Sequence, residues 1–140
     1  MIVELVDITN QYDHEGIDTL LYDIFAPSLN RFVGRVEFRD ESGRDLLFYG
    51  NIGYVIYPPY RGHSFAYYAC LEIFKKIAEK RPYVHEVLIT CNPDNIPSQK
   101  TIQRLGAVYE KTVAVDKDHE IYKQGEPYKE VYRLNLSSNS

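Results

Sequence analysis

Six residues, Arg61, Gly62, His63, Ser64, Phe65 and Ala66, follow Pro58, Pro59 and Tyr60 and lead into a run with helical spacing. The first four N–H groups of a helix have no internal partner, and the helix dipole makes that end positive. A phosphate is the natural guest there. Gly62 lets a backbone approach a ligand closely, Ser64 and Ala66 are small, and Arg61 brings a planar cationic fork suited to phosphate oxygens. His63 could add a hydrogen bond to the same group, or simply be a solvated turn residue. The competing reading is a plain turn with Ser64 as helix cap. The stretch is neither a Walker A loop, since no Gly-Lys-Ser/Thr follows, nor a G-x-G-x-x-G fingerprint.

A second candidate cluster lies about thirty residues on, in CNPDNIPSQKTIQRLGA. Asp94 or Asn95 can cap a short helix over residues 96–104, and Gly106 can close it. Around the two clusters, strands are expected at 2–8, 19–26, 32–39, 46–57, 85–91, 108–115 and 128–136, with PSLN joining the second and third as a hairpin. DESGRD (40–45) reads as a turn and 116–127 as a long polar loop. Ala66, Ala69 or Cys70, Ile73 and Ile77 recur at helical spacing until Pro82. The order ββββαβαββ predicts an α/β fold with a mixed, partly antiparallel sheet of about seven strands and two main helices.

The chain has 140 residues, a formal net charge of −4, 44% hydrophobic and 26% charged residues. That suits one domain over 1–136, with SSNS at 137–140 as a loose tail. An acidic chain without a basic footprint argues against nucleic-acid binding. It gives a slight preference for a cationic partner. Cys70 and Cys91, with no leader-like N-terminus, read as free thiols of a cytoplasmic protein. No apolar run reaches membrane length. The four histidines show no metal-ligand spacing with the cysteines, so no metal is expected. DKDHE (116–120) reads as a solvated loop or a weak cation patch.

Taken together, the two clusters resemble the GNAT superfamily of acetyl-CoA-dependent N-acetyltransferases. Residues 61–66 match its Q/R-x-x-G-x-G/A turn, with Ser64 in place of a glycine. Asn95, Ser98, Leu105, Gly106 and Ala107 match its N-x-x-A/S…L-G-F segment. The wording is nearest to the branch that acetylates ribosomal-protein N-termini. The resemblance implies that the fourth and fifth strands splay apart to admit acetyl-CoA. Backbone groups of Val55, Ile56 and Tyr57 would pair with the pantetheine arm, residues 62–66 would hold the pyrophosphate, and Asn95 and Ser98 would line the same wall. Direct attack of an amine on the thioester is the implied reaction.

The acid and base of the family do not carry over. Its tyrosine position is Ile102 here, and the glutamate position of the ribosomal branch is Thr90. Glu37, Tyr54 and Ser98 are the catalytic candidates, and Cys91 and Asn92 end the fifth strand near the splay, Asn92 within reach of the donor. Each has a competing role: packing for Tyr54, a solvated strand face for Glu37, a small buried apolar group for Cys91. Residues 9–18 leave little room for the helices that usually roof the acceptor site, so these are reduced or absent. The site is then open or completed by a second copy in a homodimer. Two functions follow: acetyl transfer to a small amine or peptide N-terminus, or a non-catalytic acyl-CoA-binding or interaction module.

Overall fold

Residues 19–26 and 31–39 are rich in apolar side chains, and they form neighbouring strands that supply much of the core. The structure, a computed structural model, describes residues 2–136; the expected tail at 137–140 lies outside them. Seven strands form one sheet: β1 (Glu4–Asp7), β2 (Thr19–Ala26), β3 (Arg31–Arg39), β4 (Ile52–Ile56), β5 (Glu86–Cys91), β6 (Val108–Ala114) and β7 (Tyr128–Asn135). Their order in space is β1-β2-β3-β4-β5-β7-β6. Every pairing is antiparallel except β4 with β5. The mixed sheet is therefore the one expected. β1 and β2 are joined by residues 8–18, which contain only a short 3-10 turn, Thr9–Gln11, and no α-helix.

Helix α2 (Phe65–Lys80) crosses between β4 and β5. It buries Phe65, Ala69, Cys70, Ile73 and Ile77 along one stripe, the spacing that packs a helix on a sheet. Pro82 lies just beyond its end, where Arg81 holds Asp18 through two hydrogen bonds of 2.7 Å. Helix α3 (Ile96–Arg104) follows β5; Asn95 is its cap, accepting from the Ser98 N–H at 3.1 Å. Gly106 closes it in a left-handed conformation, φ +91°.

Two expectations are corrected. Residues 46–57 are not one strand, and 40–45 are not merely a turn. Gly43–Tyr49 is a helix, α1, and β4 begins only at Ile52. A short apolar run such as Leu46-Leu47-Phe48 has no period that separates strand from helix. The boundary signals decided it: Asp45 in the first turn and Gly50 at the end with φ +71°. A Cβ at Gly50 would also meet the Leu88 carbonyl at 2.8 Å. The second correction is α4 (Glu120–Lys123), a single turn inside the expected polar loop. Its Ile121 packs with Phe48 and Val115 in a small second core. None of the described helices is long and apolar enough to cross a membrane.

The link between β4 and β5 is minimal. Ile52 and Ile89 are their sole registered pair among the described residues. Asn51 reinforces it. Its backbone N–H donates to the Leu88 carbonyl at 2.7 Å, its Oδ1 accepts from the Leu88 N–H at 2.9 Å, and its Nδ2 donates to the Arg39 carbonyl at 2.9 Å. One side chain thus ties β3, β4 and β5 together just before β4 and β5 part. On the other flank of β4, a Cβ on Gly34 would overlap the Val55 carbonyl, so β3 approaches β4 with no room for a side chain.

Asn51→Ala removes both side-chain bonds and leaves the Leu88 N–H without its partner. An expected loss of about 2–4 kcal/mol in urea unfolding follows from the cost of broken and unsatisfied buried hydrogen bonds. An unchanged midpoint would show that the side chain does not hold the junction.

Candidate active site

Beyond Ile52 and Ile89 no ladder joins β4 to β5, and the polar groups of β4 on that side face an open gap. Asn51 O accepts from Arg39 N at 2.7 Å and Tyr57 N donates to Val33 O at 2.8 Å, so odd-numbered peptide groups of this segment face β3. Successive residues of a strand alternate sides. Val55 and Tyr57 therefore spend their backbone groups on β3, while Tyr54 and Ile56 turn theirs to the gap. The backbone groups on the gap side are therefore those of Tyr54 and Ile56, and the Ile56 carbonyl accepts from Arg61.

A cavity of about 600 Å³ follows this gap, bounded by Tyr54, Val55, Ile56, Arg61, Gly62, Ser64, Phe65, Ala66, Asn95, Ser98 and Thr101. It brings together most of the residues expected to bind the donor. Three lie outside it. Tyr57 bonds to β3. The His63 ring lies against Phe65, centroids 5.5 Å apart. Asn92 is held by Glu126 at 2.8 Å and Lys129 at 2.6 Å.

The turn at one end has the features a phosphate needs. Gly62 has φ +88° with open space around it. Ser64 occupies the N-cap position of α2, but in a left-handed conformation (φ +62°, ψ +20°) and without a capping bond from its side chain. The opening N–H groups of a sixteen-residue helix are thus left uncapped by it. The left-handed region costs a non-glycine residue roughly 1–2 kcal/mol, which is the physical reason a glycine suits this position. Arg61 lines the cavity, and its Nε donates to the Ile56 carbonyl at 2.9 Å. Sequence reasoning missed Arg104. From the far end of α3 it donates to Ser64 Oγ at 3.1 Å, with its guanidinium 3.8 Å from the centre of the Tyr67 ring. The missed signal was helical spacing, which sets Ser98, Thr101 and Arg104 on one face.

At the other end, the hydroxyls of Tyr54 and Ser98 lie 2.6 Å apart. Burial pushes the Tyr54 hydroxyl up to about 12, against the opposing pull of Ser98, so it stays protonated in the neutral range. Ile102 is fully buried in the core, and the Thr90 hydroxyl donates to the Phe48 carbonyl at 3.1 Å. Neither position supplies an acid or base. Burial also raises the thiols of Cys70, to about 12, and Cys91, to about 11, so neither is a ready nucleophile.

Glu37 is on β3, opposite Gly53 of β4. Its carboxylate lies close over Gly53, Oε1 being 3.3 Å from an ideal Cβ there. It lines a second cavity of about 630 Å³ with Glu15, Glu41, Asp45, Asp118 and Glu120, against Arg39 and Arg44. Both arginines are already engaged, Arg39 with Glu41 at 2.8 Å and Arg44 with Asp116 and Asp118 at 3.0 and 3.1 Å. His119 bonds Asp45 through Nε2 at 2.7 Å and accepts the Ile121 N–H on Nδ1 at 3.1 Å. The Glu37 carboxylate has no hydrogen bond or salt bridge among the described residues, and burial raises its pKa above the usual 4.5 despite Arg39 and His14. The two cavities are lined by adjacent residues of β4, Gly53 and Tyr54.

Residues 4–108 match the acetyltransferase (GNAT) domain family. The chain belongs to this family. No curated protein sequence matches it. Among solved structures, it is similar to a GNAT-family acetyltransferase from Bacillus anthracis, at 21% identity and TM-score 0.64, over 84% of this chain and 66% of that one. It is similar to the microcin C7 self-immunity acetyltransferase MccE, solved with acetyl-CoA and AMP, at 19% identity and TM-score 0.64, over 84% and 61%. It is also similar to the ribosomal-protein-S5-alanine acetyltransferase of Vibrio fischeri, at 17% and TM-score 0.64, over 84% and 62%. The chain thus spans a little under two thirds of the length of these structures. Acetyl-CoA is the cosubstrate of the family.

An acid whose pKa is raised by folding stabilises the fold below its unfolded value and loses that contribution as pH rises through its folded value. Glu37→Gln removes this loss. The variant should keep or raise the wild-type melting temperature at pH 7 and flatten the decline of stability from about pH 4.5 upward, read by thermal melts across pH. A variant markedly less stable than wild type at pH 7 would mean that the carboxylate supports the fold.

Proposed function

We propose that this chain transfers the acetyl group of acetyl-CoA to a cationic primary amine, on a small molecule or at a peptide N-terminus. One observation carries the reading: neighbouring residues of β4, Gly53 and Tyr54, line an acidic cavity and a donor-type cleft. Acidic walls concentrate a cationic acceptor and hold it as ammonium. Similarity to a ribosomal-protein acetyltransferase favours a peptide acceptor.

Acetyl-CoA supplies the thioester. The chain's own residues then have three tasks. Glu37 accepts a proton from the ammonium, and its raised pKa makes it a better base near neutrality than an ordinary carboxylate. The Tyr54 N–H or another gap-facing backbone donor offers oxyanion-type support to the carbonyl. As the amine nitrogen bonds to the acetyl carbon and the carbon–sulfur bond breaks, Tyr54, oriented by Ser98, delivers its proton to the leaving sulfur, and the second proton lost by the nitrogen restores the Tyr54 hydroxyl. Two bound reactants held in register account for much of the rate. With both thiols buried and protonated, no acetyl-cysteine step is called for.

The second reading, an acyl-CoA-binding module without turnover, is favoured by Ile102 and Thr90 at the usual acid and base positions. One experiment separates the two. Thiol release is followed with acetyl-CoA and three acceptors: a polyamine, a peptide with a basic N-terminal segment, and a neutral amine of similar size. The cationic acceptors should give the higher kcat/KM. Glu37→Gln and Tyr54→Phe should each lower it by about 100-fold or more, in the range of general acid–base groups. Binding of CoA without thiol release from any amine would overturn the transferase reading in favour of the module.

A further inference from the structure

Five of the eight arginines hold a carboxylate within salt-bridge distance: Arg35, Arg39, Arg44, Arg81 and Arg133. Of the other three, Arg31 bonds the Asn30 carbonyl at a hairpin. The remaining two, Arg61 and Arg104, come from different elements and reach the same turn. Among the described residues, neither of these two guanidinium groups forms a salt bridge. Neither guanidinium is loose. Arg61 is anchored through Nε alone, which leaves its two terminal nitrogens uncommitted. Arg104 is anchored through Nη1 to Ser64 Oγ and stacked on Tyr67, which leaves Nε and Nη2 uncommitted.

The anchor on Ser64 explains an oddity of the turn. Ser64 bears the cost of a left-handed backbone where glycine would not, yet its hydroxyl does not cap α2. It faces α3 instead and accepts from Arg104. Stacking on an aromatic face and a planar donor fork are properties of arginine that lysine lacks.

We infer that Arg104 is a donor-binding residue of this chain, closing with Arg61 a two-guanidinium clamp on the pyrophosphate at the 62–66 turn, and that Ser64 is the positioning residue that aims it. This rests on the reading of the first cavity as an acyl-CoA site. The clamp makes affinity depend on the phosphates of the ligand rather than on the pantetheine arm.

The test is calorimetric binding of CoA, dephospho-CoA and pantetheine to wild type, Arg104→Ala and Arg104→Lys, with a thermal melt of each protein. Arg104 is exposed, and the lysine variant keeps its charge should the alanine variant fold poorly. Arg104→Ala should weaken CoA and dephospho-CoA alike by about 10- to 100-fold, the scale of a charge-assisted hydrogen bond, and leave pantetheine unchanged. Arg104→Lys should fall between. Equal affinity of wild type and Arg104→Ala for CoA would overturn the clamp and leave the donor site standing. A loss confined to CoA and absent for dephospho-CoA would move Arg104 to a different phosphate and overturn its assignment to the turn. Wild-type protein that binds neither CoA nor dephospho-CoA would overturn the donor site itself.

Discussion

The architecture depends on how little holds β4 to β5. One registered pair and the Asn51 side chain make the junction, and past it two parallel strands part. A longer ladder would satisfy more backbone groups, but it would also seal the gap. The exposed peptide groups of Tyr54 and Ile56 are the cost of keeping a groove open in the middle of a sheet. The rest of the molecule compensates. Twenty buried residues in the main core, among them the α2 stripe and the inner faces of β2 and β3, hold the strands at the ends where they do pair. Gly34 lets β3 lie tightly along β4, so the free edge stays rigid.

That free edge separates two chemistries. On one side are arginine, uncapped amides and neutral hydroxyls; on the other are carboxylates. Strand alternation does the sorting, because neighbouring residues such as Gly53 and Tyr54 present themselves to opposite faces. The lack of a side chain at Gly53 lets the Glu37 carboxylate lie close over β4. The small second core of Phe48, Val115 and Ile121 draws α1 and α4 together and so builds the far wall of the acidic cavity.

Features written locally were legible in the sequence. The α2 stripe, the PSLN hairpin, the Asn95 cap and the Gly106 stop each depend on residues within a few positions of one another, and the structure has all four. The two donor-site clusters were legible for the same reason. Features that depend on partners distant in the chain were not. Asn51 acts only because Leu88 and Arg39 flank it in space, and within an expected strand it looked like any polar residue. Arg104 gains its place from Ser64, forty positions earlier. Helix α1 was hidden by Leu46-Leu47-Phe48, whose apolarity suits either a strand or a helix until the second core is known. Asn92 looked like a donor-site residue by position, but Glu126 and Lys129 claim its side chain from beyond β6.

The buried sulfurs have a practical side. Cys70 and Cys91 are both shut inside the folded chain, with thiols held protonated by burial. A chromogenic disulfide reagent added to the native protein therefore has almost no thiolate to titrate. Any yellow colour in such an assay reports either free coenzyme or a chain that has opened. The two sources differ in kinetics and stoichiometry, so one cuvette serves as turnover monitor and folding sentinel without a tag or a cysteine-free variant.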